Sequence, residues 1–197
     1  MMRIVICQIR LRVKNILKNK IFMKKVLTKI EKEIENMFCQ EGSGHDIYHL
    51  KRVLNLALQI QEKEGGDKLI VATASLLHDV HRIIGEKKGK FCSPKDSLPF
   101  IKKILDKVEI SDVKKNRILH CIEYHEEYDF SEKGKTKNDL ETLILQDADN
   151  LDAMGAIGIA RMFVYCGKNN IAMYVIWVDK FGRILSSIGT SQIVSTP

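Results

Sequence analysis

Along most of the chain, apolar residues return every three or four positions, the spacing that gathers them on one side of an α-helix. The first such segment runs roughly from Lys24 to Phe38 and ends at Gly42, Ser43 and Gly44. A second carries Leu50, Val53, Leu54, Ala57 and Leu58. A third, "LIVATASLLHD", is apolar around most of its circumference and so predicts a central helix, with Asp67 placed to cap it. "SPKD" at 93–96 is a helix start, with Ser93 as cap, Pro94 first and Asp96 three on; Phe100, Ile101, Ile104, Leu105 and Val108 then face inward. Ser111 opens the next helix, with Ile118, Cys121 and Ile122 on its inner side. After a polar loop, "GKTKN", Asn138 and Glu141 form a capping-box pair for one long helix that includes "LILQDADNLDAMGAIGIAR". Beyond Tyr174 the pattern changes: "YVIWVD" predicts a strand and "SSIGTSQIVSTP" an irregular end. With only 3 prolines to interrupt it, the chain is expected to be all-α.

Its 197 residues, 45% hydrophobic, suit one domain with a sizeable core. The net charge of +7 is unevenly placed. Residues 1–29 hold nine Lys or Arg and no acid, so the remainder of the chain carries −2. A basic arm of this kind is read as solvated, and specific nucleic-acid binding is not expected. Arg10 and Arg12 interrupt the N-terminal apolar run too early for a signal peptide or a membrane span. Met23 opens an amphipathic helix of its own, which marks residues 1–22 as an extension. The expected organisation is a basic extension over 1–22, a domain over 23–174 and an atypical tail over 175–197 that reads as cut short. Five cysteines without a CxxC pair predict free thiols and a cytoplasmic protein.

The chemistry concentrates in the histidines and in three aspartates. All six histidines lie between His45 and His125. His49 shares a helix face with Val53, Leu56 and Ile60 and points at the core. His78 and Asp79 end the central helix together, so an imidazole and a carboxylate can reach one ion there. His125 continues the inner side of Ile118, Cys121 and Ile122, whereas His120 is turned about 140° away. His81 and Arg82 follow at the mouth of any such site. On the long helix, Asp147 falls on a stripe with Leu140, Leu143, Ile144, Leu151 and Met154 and is expected to pair with Arg52. Asp149 and Asp152 share another side with Leu145 and Ala156, the side expected to turn toward a metal. Two histidines with two carboxylates suit a catalytic divalent ion such as Mn, Fe, Co, Ni or Mg; zinc is compatible, but without cysteine ligands a closed structural zinc site is not.

"HDIYHLKRV" (45–53), "LLHDVHR" (76–82), "CIEYHEEY" (121–128) and "LQDADNLDAMGAIGIAR" (145–161) together resemble the HD superfamily of metal-dependent phosphohydrolases, in particular its small single-domain bacterial branch. The resemblance covers roughly residues 23–174 and implies an HD-domain helical bundle. It implies His49, His78, Asp79 and Asp149 as metal ligands, with Asp79 also needed for catalysis, and Arg52 as a structural tie. His125 matches a histidine that some members use for substrate or a second metal. Arg82 stands where nucleotidase members carry a glutamate; a guanidinium cannot act as a base but can clamp a phosphate. Asp152 is expected behind the ligands or facing substrate. The implied activity is hydrolysis of a small phosphorylated metabolite, a nucleotide first among them, by metal-activated water. The alternative is a nucleotide-sensing module without turnover. A homodimer is compatible with either, and a membrane partner is not expected.

Overall fold

The computed structural model of the protein describes residues 2–127 and 139–172 and two short strands, 176–178 and 184–186. The polar loop "GKTKN", Asn138 and all of the tail outside those strands lie beyond the described residues. Among the described residues are eight helices and a hairpin: α1 (Met2–Phe38), α2 (Ile47–Glu64), α3 (Lys68–Leu77), α4 (Val80–Lys88), α5 (Pro94–Leu105), α6 (Asp112–Tyr124), α7 (Leu140–Asp152), α8 (Gly155–Lys168), β1 (Ile176–Val178) and β2 (Ile184–Ser186). The strands pair antiparallel, with Trp177 opposite Leu185.

α3 is the axis of the bundle. Every residue from Leu69 to Leu77 is buried, and α1, α2, α6 and α7 pack around it. A segment apolar on all sides can only be stable when surrounded, as its sequence requires. Asp67 starts it by accepting hydrogen bonds from the Leu69 and Ile70 N–H groups. α5 begins with the reciprocal Ser93–Asp96 capping box and Pro94 at its first position.

Four expectations need correction. The first helix does not start near Lys24: α1 is continuous from Met2, and among the side chains described from Val13 on, an exposed run to Phe22 precedes the first buried position, Val26. Phe100 does not face the core; it is 39% exposed, whereas Ile101, Ile104, Leu105 and Val108 are buried. The cap of α7 is Asp139, which accepts from the Thr142 N–H. Glu141 instead reaches across to the Asp67 N–H and to Arg117. Finally, the single long helix is two. α7 ends at Asp152, and Ala153 and Met154 leave the helical path before Gly155, at φ +65°, opens α8. A left-handed backbone is strained for residues with a Cβ and free for glycine.

The break reassigns the sides of α7. Leu140, Leu143, Leu151 and Met154 are exposed, and Asp147 with them. The buried residues are Glu141, Thr142, Ile144, Leu145, Gln146, Ala148 and Asp152. Asp147 makes no hydrogen bond or ion pair among the described residues, and Arg52 belongs to Asp152.

Candidate metal centre

Three helix ends and the first turn of α2 meet at one point. Asp46 caps α2 by accepting the His49 N–H, which places His49 in that first turn with its ring fully buried. His78 caps the C-terminus of α3, and Asp79 occupies the corner between α3 and α4. His125 caps the C-terminus of α6. Asp149 arrives from the last turn of α7, with its side chain 22% exposed.

Every imidazole here is oriented from behind. His78 Nδ1 donates to the Ser75 carbonyl at 2.9 Å, His81 Nδ1 to that of His78 at 3.0 Å, and His125 Nδ1 to that of Ile122 at 2.7 Å. His49 Nδ1 donates to Asp152 Oδ2 at 2.8 Å. A carbonyl or carboxylate oxygen can only accept, so each ring carries a proton on Nδ1 and, in its neutral form, leaves Nε2 with a free lone pair. That is the tautomer a metal-ligating histidine needs.

The Nε2 atoms of His49, His78 and His125 and the Oδ2 atom of Asp79 are buried and make no hydrogen bond. Unsatisfied buried polar atoms are costly and rare; four together require a common explanation. His49 Nε2 lies 3.2 Å from Asp79 Oδ2 and 3.4 Å from Asp149 Oδ1, and His78 Nε2 lies 3.6 and 3.8 Å from the same two oxygens. Donors about 2.1 Å from one ion at octahedral angles stand about 3 Å apart. Donor types, protonation and spacing therefore fit a divalent cation held by His49, His78, Asp79 and Asp149, with His125 grouped near His78 and Asp149.

The electrostatics follow from burial against neighbouring charge. Burial would raise the Asp79 carboxyl, but His78, Arg82 and His49 outweigh it and hold it well below the usual range. His49 is lowered by burial but raised on balance by the carboxylates of Asp152 and Asp79; a bound cation would compete with the proton for that ring. His125 is pushed down to about 3 by burial and by His78, which outweigh the carboxylates of Asp79 and Asp149, and His45 to about 4 by burial.

Arg82 donates from Nε to Asp79 Oδ1 at 2.6 Å and from Nη2 to Glu126 Oε1 at 2.7 Å. It lines a cleft of about 500 Å³ beside the centre, together with His45, His81, Lys90, Tyr165 and Lys168. Asp152 departs from the substrate-facing expectation. It is 5% exposed, and its two oxygens accept from His49, from Arg52 at 2.7 and 3.0 Å, and from Arg161 at 2.9 Å. It stands behind His49. Arg161 and Glu126 escaped the sequence reading; charged residues carry no signal of the partner they will find across the fold.

The HD domain family matches residues 46–154, more than half of the chain, and the chain belongs to that family. YpgQ of Bacillus subtilis, described as an uncharacterized protein, is 35% identical over 144 residues, covering 72% of this chain and 66% of YpgQ. The chain thus spans slightly less than two thirds of that relative's length. A crystal structure of YpgQ in complex with ADP superimposes with a TM-score of 0.58 at 29% identity, over 78% of this chain and 72% of that one. A Lactobacillus plantarum protein gives 0.62 at 30% identity, over 77% and 67%. An HD-superfamily hydrolase of Bacillus thuringiensis gives 0.53 at 30% identity, over 78% and 69%. Among the described residues, no helix is long and apolar enough to cross a membrane.

Proposed function

We propose that this protein is a divalent-metal-dependent phosphohydrolase acting on a small phosphorylated metabolite, with nucleotides the first class to test. The observation that carries the reading is the convergence of four buried, unpartnered donor atoms beside a cleft. ADP in the YpgQ crystal structure supports the choice of ligand class.

His49, His78, Asp79 and Asp149 would hold the ion. A divalent ion in such a site supplies an activated water and polarises a phosphoryl oxygen. The chain's own residues do the rest. Asp79 and Glu126 fix the guanidinium of Arg82 at the cleft wall, where it brings positive charge to non-bridging phosphoryl oxygens. Arg82 itself cannot take a proton from water. His45 and His125, both kept neutral by burial, offer hydrogen bonds without adding charge. Ser43 Oγ lies 3.0 Å from His45 Nδ1 and orients that ring at the cleft.

The test is metal analysis of the purified protein, followed by a screen of phosphorylated metabolites with added Mn²⁺ or Co²⁺ and Asp79→Ala as the blank. Metal-dependent turnover lost in the variant is expected. Absence of bound metal together with no turnover on the panel would overturn the proposal, and tight nucleotide binding without turnover would favour a sensing module.

A further inference from the structure

α8 sits on the body in an unusual way. Only Gly158 of its residues is buried, and Ile159, Met162 and Phe163 are exposed by 57%, 48% and 49%. Its attachment is polar and comes from one side, at positions 161, 165 and 168. Lys168 pairs with Glu41 and with Glu86, and the Tyr165 ring lies 5.8 Å from that of His45. Arg161 makes the most consequential contacts. Its Nε donates to the Gly44 carbonyl at 2.8 Å, and its Nη1 donates to Asp152 Oδ2 at 2.9 Å.

Asp152 Oδ2 is the same atom that accepts the Nδ1 proton of His49. Arg161 therefore lies two bonds of a relay behind a proposed metal ligand, although it comes from a different helix and touches neither the cluster nor the ion's place. Gly44 shows how closely this contact is built. It has φ +87°, and a Cβ there would stand 3.3 Å from the Arg161 Cα, Cβ and Cγ atoms. A side chain at position 44 would push the arginine away from Asp152.

We infer that Arg161 is a positioning residue for the metal centre: by holding Asp152 and the Gly44 carbonyl together, it fixes the ring of His49 and makes metal affinity depend on the Arg161–Asp152 contact. The inference rests on the metal reading above. Partners behind a ligating histidine set its tautomer and orientation, and their loss weakens metal binding by about 10–100-fold.

The experiment measures Mn²⁺ affinity by calorimetry or chelator competition, on the full chain, for wild type, Arg161→Ala, Asp152→Asn and the double variant. Melting in chelator is recorded for each. Wild type without measurable Mn²⁺ binding would sink the metal reading itself. Given wild-type binding, Arg161→Ala is expected to weaken it about 10–100-fold, and to add little further loss when Asp152 is already Asn. Unchanged affinity in Arg161→Ala, or an equal loss in both backgrounds, overturns the relay. Lys168→Ala removes the pairs with Glu41 and Glu86 while leaving the Arg161 contacts in place and is expected to leave Mn²⁺ affinity as it was; a matching loss there would show that the effect is not particular to Arg161 and would also overturn it. Should Arg161→Ala fail to fold, Arg161→Lys replaces it, since lysine lacks the planar fork that serves Gly44 and Asp152 at once.

Discussion

Replacing Asp152 by alanine is expected to destabilise the fold far more than replacing Asp147, although the two lie five positions apart on one helix. Asp152→Ala removes the acceptor for His49 Nδ1, for both arms of Arg52 and for Arg161. The side chains of His49 and Arg161 are 0% and 15% exposed, so neither can recover its lost bond from water without moving. Breaking a buried ion pair costs about 3–5 kcal/mol. Arg52, 35% exposed, can turn toward solvent, and its share falls toward the ~1 kcal/mol of a surface pair. The sum is about 4–6 kcal/mol. For a chain of this size that is a fall in Tm of about 8–24 °C. Asp147→Ala, at an exposed position with no partner among the described residues, should stay within about 0.5 kcal/mol of wild type. Thermal and urea melts in excess chelator make the comparison, because chelator removes any contribution from bound metal. Equal melts for the two variants, or a larger loss for Asp147→Ala, would refute the assignment of Asp152 as the buried anchor.

Asp149→Ala should abolish the Mn²⁺-induced rise in Tm while shifting the melt in chelator by less than about 1 kcal/mol, because the side chain is partly exposed and, among the described residues, only the longer contacts to His49 and His78 tie it to the body. At Gly158 a Cβ would fall within the Ala153 carbonyl group, so Gly158→Ala should cost about 1–3 kcal/mol by overpacking and reduce Mn²⁺ affinity by displacing α8, readable from a melt and a titration. Asp67 has its carboxyl lowered because the Lys114 ammonium and the backbone N–H groups of Ile70 and Leu69 prevail over burial. A lowered folded value means that its contribution is complete above the unfolded carboxyl value, about 3.9, and is lost as the pH falls through the folded one. Asp67→Ser, which keeps a capping oxygen, should therefore show a shallower loss of stability below about pH 4 than wild type; parallel pH profiles in chelator would contradict this.

Where chemistry is local, the sequence could be read directly. Asp67 and Ser93 act as caps on residues two and three positions away. Leu69 to Leu77 need burial on all sides whatever the neighbours are. His78 and Asp79 share a corner because they are adjacent. α7 shows where that legibility stops. Its outward side is rich in leucine and its inward side includes two carboxylates, Glu141 and Asp152, each matched to an arginine from another helix. Periodicity assigns apolar positions to the core, and here the core side was chosen by ion pairs over 24 and 100 residues of sequence separation. The break at Ala153 was hidden for a related reason. A run of Ala and Gly reads equally well as a close-packing stripe within a helix or as a turn between two helices. Only the φ of Gly155 distinguishes them.

The unbroken course of α1 affects how the molecule would move through solution. Its 37 residues make a rod of about 55 Å at 1.5 Å per residue, of which about 36 Å precedes Val26, the first buried position among the side chains described from Val13 on. A globular chain of 197 residues has a radius of gyration of only about 16 Å. Friction scales with the longest dimension of a particle rather than with its mass. A single chain with such a spar would leave a sizing column early, at the volume of a heavier globule, and elution alone would count one molecule as two. Light scattering, which weighs the particle, is the measurement that separates an elongated monomer from a pair.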